Sequence, residues 1–443
     1  MFSNKAIFCI AWPLGMNAML LQGILIIDTL MVSPLGEQAL AAMGLSAGLA
    51  GLMIGIIFAF SNGSQMLLAQ AHGAQSKLAL KSGYWSGLVI NISVGCCALL
   101  LMQIIIPYLL PLLAATAEIE TLATEYLSWF SLVFISLAIA QNFTAFYNAS
   151  GNTAIPFYSN LLELPLNAAL SYIFIYGAWG FPEMGLKGAA LGTVVAVTMR
   201  TVFLYWCFNR QLLKALKIPY WTQQKFKATL INHFIKSLPI ANTFITMTLS
   251  LNVCLLIYAQ LPVYAFAALT LLFPWIRISG HIVTAWAQAS GILVGQMIGS
   301  QQLQLLDSFV SRAWRVALYL SLLVTLLYAC FSTVFTYLYP DLKVETTTVL
   351  WQLTPILLCL PLIRSSNTLC GHMLRAGGDA SFVFKVHFFS QWLITVPLSA
   401  LLVLYWEVSV FWVFGVILLE ELIKGIPFHL RIHRDKWKRD LID

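Results

Sequence analysis

Apolar runs of about 20 residues or more recur from one end of this 443-residue chain to the other, and no other feature confines its backbone so tightly. In lipid every N–H and C=O must find a partner inside the protein, so a spanning segment is either a helix or one strand of a closed barrel. Barrel strands would alternate over about ten residues, and these runs do not. Hydrophobic residues make up 60% and charged residues only 9%, where soluble domains carry about a quarter charged. We therefore read an all-α polytopic membrane protein with twelve transmembrane helices. The spans fall near 6–32, 40–68, 83–114, 122–147, 157–177, 187–208, 233–259, 264–296, 309–338, 347–374, 383–405 and 409–430. No soluble domain of useful size remains. The first run leads into the second with no small-residue cleavage site between, so it reads as a retained helix and not a signal peptide.

The chain also says much the same thing twice. Pro13, Leu35, Ala39, Ala41, Ala42, Leu45, Leu67, Gln70, Gly73 and Ser82 recur 226 residues later as Pro239, Leu261, Ala265, Ala267, Ala268, Leu271, Leu293, Gln296, Gly299 and Ser308. A second echo joins Asn148-Ala149-Ser150-Gly151-Asn152 to Arg375-Ala376-Gly377-Gly378-Asp379. Such duplication points to two pseudo-symmetric six-helix lobes, the build of many transporters. We place the N-terminal lobe at 1–209, a basic linker at 210–232, the C-terminal lobe at 233–430 and a basic tail at 431–443.

The net charge of +7 needs no nucleic acid, because the basic residues lie in loops and the tail. With a cytoplasmic N-terminus, one side holds Lys77, Lys81, Arg210, Lys214, Lys217, Lys225, Lys227, Lys236, Arg312, Arg315, Arg375 and Lys385, while the other holds only Lys187 and Lys343. The positive-inside rule then puts both termini in the cytoplasm. Tyr220, Trp221 and Phe226 interleave with the linker's bases and suit either a headgroup-level segment or a solvated connector. The eight cysteines lie within or beside apolar segments without C-x-x-C spacing and read as small buried hydrophobes.

At the shared register the first half has Asp28 where the second has Cys254. Asp28 is the only formal charge between Ala6 and Val32, and an ionisable group at such depth costs roughly 2.5–3.5 kcal/mol on insertion scales. A group kept at that cost marks an ion or substrate path more often than a packing choice; the plain alternative is a carboxylate hydrogen-bonded to a neighbouring helix. Pro13, by removing a backbone hydrogen bond, can bend the first helix.

Several of these segments together resemble the multidrug and toxic compound extrusion family, the MATE transporters. They are Pro13 ahead of Asp28, Pro34-Leu35-Gly36 before Ala39-Leu40-Ala41-Ala42, Ala69-Gln70, the Arg375–Asp379 turn, and Asn167 leading through Tyr172–Gly177 to Gly185-Leu186-Lys187-Gly188-Ala189-Ala190. The resemblance implies a central cavity and export of amphipathic, often cationic, compounds in exchange for protons or sodium, with the proton favoured here. It also implies that Asp28 works with polar residues of the fifth and sixth helices, which in this chain match Asn167, Ser171 and Thr193. The family often has an acid where this chain has Ser171, and many members have a Glu where it has Met247. Coupling is therefore expected to rest on Asp28, with sodium at Asp28 as the alternative to a proton.

Glu163, Asn167 and Ser171 stand four residues apart and so share one face of the fifth span. Interhelical hydrogen bonding would explain them equally well. Arg200, Arg277 and Arg364 fall in apolar stretches and, with Glu420 and Glu421, are candidates for ion pairs across the C-terminal lobe. Phe244, Met247 and Met297 are cavity candidates, with plain packing as the alternative. The seven histidines show no ligand spacing. No G-x-x-x-x-G-K-[ST] loop and no catalytic motif occurs, so an ion gradient is the expected energy source and an enzyme is not expected. The reading is a monomeric, cofactor-free antiporter of the cytoplasmic membrane working by alternating access; a flippase for lipid-linked saccharides is the rival if the three arginines line one cavity.

Overall fold

The computed structural model describes residues 4–211, 225–338, 343–439 and 441, and among them there is no strand. Twelve helical spans follow one another: α1 (Asn4–Val32), α2 (Glu37–Gly73), α3 (Lys77–Leu113), a broken α4 (Ala117–Phe130 and Val133–Ala149), α5 (Ala154–Tyr176) and α6 (Gly185–Gln211). Then come α7 (Phe226–Tyr258), α8 (Val263–Gly299), α9 (Leu303–Leu338), α10 (Val344–Ala376), α11 (Ala380–Tyr405) and α12 (Val410–Ile432). Nine are long and apolar enough to cross a membrane singly, and the two parts of α4, bent by 43°, make a tenth. The two that fall short are α5 and α12, which carry Asn160, Glu163 and Asn167, and Glu420, Glu421 and Lys424, respectively.

Local chemistry sets several ends. Ser76 caps α3 by accepting from the Ala79 N–H at 3.2 Å, and Thr116 caps α4 by accepting from Ile119 at 3.2 Å. Gly177 closes α5 in the left-handed region at φ 67°, where a side chain would also strike the backbone of Phe181 and Glu183.

The described chain forms two compact units, Met16–Ala241 and Met1–Gly15 with Asn242–Asp443. The division falls inside α1 and α7, two residues after Pro13 and two after Pro239, so each half lends its opening turns to the other half's unit. α1 nevertheless runs unbroken through Pro13. In the first unit Ile57, Met102, Leu127, Phe134 and Ile175 belong to a core built by α2 to α6. In the second, Leu269, Leu353, Val413 and Phe414 do the same for α8, α10 and α12. Lys214, Lys217, Tyr220 and Trp221 of the expected linker lie outside the described residues; its end, from Phe226, already belongs to α7.

The opening of α7 is seated firmly in the first unit. His233, fully enclosed, stands 2.9 Å from Ser64 Oγ of α2 and 2.6 Å from Ser86 Oγ of α3. Phe234 stacks on Phe60 at 5.6 Å, and Ser237 sits where a Cβ on Gly63 would come within 2.7 Å of it.

The basic tail, read from sequence only as charge, also has structure. Trp437 is completely buried, donates from Nε1 to the Ile432 carbonyl at 2.9 Å, and covers Gly377, where any side chain would collide with it. The Arg439 N–H bonds to the Gly377 carbonyl at 3.1 Å, and Lys438 pairs with Asp307 at 2.9 Å. The repeated Gly turn between α10 and α11 is thus a seat for the chain's end.

Candidate functional site

The polar face expected on α5 exists, and α6 is packed tightly against it. A Cβ on Gly188 would lie 2.4 Å from the Phe174 carbonyl, and one on Gly192 would lie 2.7 Å from Ser171 Oγ. Gly188 and Gly192 form a small-x-x-x-small pair, the pattern that lets two membrane helices bring their backbones together. That close approach carries Thr193 to Asn167, whose Nδ2 donates to Thr193 Oγ1 at 3.0 Å. Tyr176 ties the end of α5 to α1 by donating to the Met31 carbonyl at 2.7 Å.

Asp28 faces this pair of helices. Its side chain is buried, with the polar side chains of Asn167 and Ser171, and with Tyr126 of α4 and Glu163, close enough to act on it electrostatically. Asn167 and Ser171 are fully enclosed, and Thr193 is buried. Yet Asp28 Oδ1, Asn167 Oδ1 and Ser171 Oγ, all shut off from solvent, have no hydrogen-bond partner. The carboxylate and amide oxygens only accept while the Ser171 hydroxyl can also donate, so the group holds more buried acceptors than donors and is costly until a proton or cation completes it.

One turn from Asn167, Glu163 meets Arg200 of α6. Arg200 Nη1 donates to Glu163 Oε2 at 2.7 Å and to Asn160 Oδ1 at 2.7 Å, and Asn160 Nδ2 continues to Asn17 Oδ1 on α1. The expected pairing of Arg200 across the C-terminal lobe is therefore corrected: the α5–α6 packing puts an acid beside it in its own unit. Arg364 does reach Glu421, at 3.8 Å, whereas Arg277 makes no ion pair among the described residues. The main partner of Glu420 and Glu421 is Lys424, at 2.9 and 3.0 Å, one helical turn along α12. Gln391 and Thr395 complete Glu420 from a π-helical stretch of α11, Phe389–Thr395, and Asn367 completes Glu421.

Phe244, Met247 and Met297 belong to the second unit; Met247 is exposed, Phe244 half-buried and Met297 fully enclosed. Sequence reasoning missed Lys424, His233 and the glycine pair of α6. The i+3 and i+4 spacing from Glu421 and Glu420 would have found Lys424, and the G-x-x-x-G pattern would have found the glycines; nothing local marks His233.

Comparison with known proteins bears on this arrangement directly. The MatE family model matches twice, over residues 13–173 and 239–401, and its two matches start at the two repeated prolines. This chain belongs to the MatE family. An uncharacterized transporter of Bacillus subtilis, YisQ, is 26% identical to the MatE chain over 98% of its length and 94% of the relative's. A probable multidrug resistance protein of Thermotoga maritima, NorM, is 31% identical over 45% of this chain and 44% of its own. Among solved structures, a MATE protein in the bent conformation superposes with a TM-score of 0.86 at 18% identity, covering 97% of this chain and 95% of its own. The eukaryotic MATE transporter AtDTX14 gives 0.85 at 18% identity, over 98% and 96%. The MatE chain is thus a polytopic membrane protein of a transporter family, with the all-α fold of its structural neighbours.

Proposed function

We propose that this MatE chain is a cation-coupled antiporter of the cytoplasmic membrane, with both termini inside, that exports amphipathic organic compounds by alternating access. Asp28 is the coupling group, with Asn167, Ser171 and Thr193 holding it in place. The observation that carries the reading is the trio of buried, unpartnered oxygens on Asp28, Asn167 and Ser171. A proton on Asp28 turns one acceptor into a donor and satisfies a neighbour. Loss of that proton leaves a buried carboxylate short of donors and gives α1 a reason to move. The proton is favoured because only one carboxylate is present among these ligands. Sodium is the second reading, favoured by the same three open oxygens, since a hard cation prefers several oxygen ligands.

The flippase rival needs its arginines free to hold pyrophosphate. The Arg200–Glu163 and Arg364–Glu421 pairs count against it. The test is Asp28→Asn in proteoliposomes loaded with a panel of amphipathic dyes, driven first by a pH gradient and then by a sodium gradient. The variant is expected to stay folded by size-exclusion chromatography and to lose gradient-driven export. Export that keeps its full dependence on either gradient sinks the proposal, and the gradient that drives the native protein names the ion.

A further inference from the structure

Along one stripe of α8 the second half departs from the first, and that stripe holds an arginine with no acid beside it. On α2 the stripe contains Gly44, Gly48 and Gly51, and a Cβ built on any of these meets no atom within 4 Å. At the repeat register α8 has Thr270, Pro274 and Arg277 instead, followed on the same face by His281, Thr284 and Gln288. Steps of four and three residues keep all six within about 80° of the helix circumference. Thr270, Pro274, Arg277 and Thr284 are exposed, while Leu269, Leu272, Ile276 and Val283 on the opposite side are buried in the core of the unit.

A lipid-facing stripe would be apolar; this one is polar at five of six positions. An arginine in the middle of a 37-residue membrane helix costs roughly 2.5–3.5 kcal/mol if it faces hydrocarbon, so such residues pair with acids or line water. Three other cations inside spans are paired: Arg200 with Glu163, Arg364 with Glu421, Lys424 with both Glu420 and Glu421. Arg277 is not, among the described residues, and its one close titratable neighbour is His281, whose Nε2 is shut off from solvent with no partner. Asp28, Glu163, Glu420 and Glu421 are all largely enclosed. The polar face of α8 therefore carries a cation with no acid beside it among the described residues.

We propose that Arg277, supported by His281, binds an anionic group, the carboxylate of an amphipathic cargo. A guanidinium offers a planar fork of donors that fits a carboxylate through two parallel bonds, which a lysine cannot reproduce. The proposal rests on the reading of the chain as an exporter of amphipaths and names a substrate class within it. That class is aromatic carboxylic acids and zwitterions, within the amphipathic, often cationic, compounds that the family resemblance implies.

The test is equilibrium binding to the full chain in lipid nanodiscs with no ion gradient, so that it does not depend on coupling through Asp28. The probes are 2-naphthoate and its neutral amide, 2-naphthamide. The native protein is expected to bind the acid more tightly than the amide. Arg277→Gln is expected to weaken the acid about tenfold, the loss of one charge-assisted contact, with the amide unchanged as proof of a folded site. Arg277→Lys should retain part of the preference, and Asp28→Asn all of it. Equal affinity of acid and amide, or an Arg277→Gln protein that still prefers the acid, overturns the proposal. Discs of phosphatidylcholine and discs containing phosphatidylglycerol separate the two sources of anion. If phosphatidylglycerol displaces 2-naphthoate, the site belongs to a lipid headgroup and the cargo assignment falls.

Discussion

Replacing Arg200 by methionine should be among the most damaging single changes in the first unit, and the size of the loss follows from the geometry. The guanidinium and the Glu163 carboxylate are 2.7 Å apart with side chains only 1% and 4% exposed. Charge centres about 4 Å apart at an effective dielectric constant near 20 attract by about 4 kcal/mol. Removing one partner of a buried pair typically costs about 3–5 kcal/mol, because the other charge is left without water or counter-ion. Arg200→Met also leaves Asn160 Oδ1 without its donor. We expect about 3–5 kcal/mol of destabilisation by these principles, read from denaturant unfolding in detergent micelles followed by tryptophan fluorescence. The double variant Glu163→Leu with Arg200→Met removes both charges and should recover to within about 1 kcal/mol of the native protein. A single variant that loses less than about 1 kcal/mol, or a double variant no better than the single, would refute the claim that this pair is buried and mutually dependent.

Two further changes probe other parts of the fold. Gly188→Ala puts a Cβ 2.4 Å from Phe174 backbone atoms that cannot step aside; overpacking of about 1–3 kcal/mol is expected, and export should fall with it as Thr193 is pushed from Asn167. An unchanged melting temperature would mean that α5 and α6 are not in backbone contact there. Trp437→Ala removes a wholly buried anchor, a loss of about 3–5 kcal/mol in an ordinary core, and should free the tail so that trypsin cuts rapidly at Lys436, Lys438 and Arg439. Equal cleavage of the native protein would show that the tail is not seated on Gly377.

Much of the molecule was legible before any coordinates. The apolar runs dictated helices, the 226-residue echo dictated two related halves, and the lone acid in α1 pointed to Asp28. The i, i+4, i+8 pattern put Glu163, Asn167 and Ser171 on one face, and Asn167 and Ser171 do meet Asp28. The pairing of charges was not legible. Arg200 looked like a resource for the C-terminal lobe, since sequence distance from Glu163 says nothing about α5 and α6 lying side by side. Nor could the register of the echo reveal that each half's opening turns, including His233, lodge in the other half's unit.

What the sequence determined by itself is everything that depends on a run of neighbours along one chain. Spans, their order and the faces of single helices follow from solvation of the backbone and a 3.6-residue period. What only the tertiary structure decided is which buried group is left unfinished. Asp28 Oδ1, Asn167 Oδ1 and Ser171 Oγ lack partners, Arg200 has Glu163, and Arg277 has no acid among the described residues. Whether a polar atom is satisfied depends on an atom from another helix arriving within about 3 Å, and that is set by packing, here by the space two glycines leave between α5 and α6.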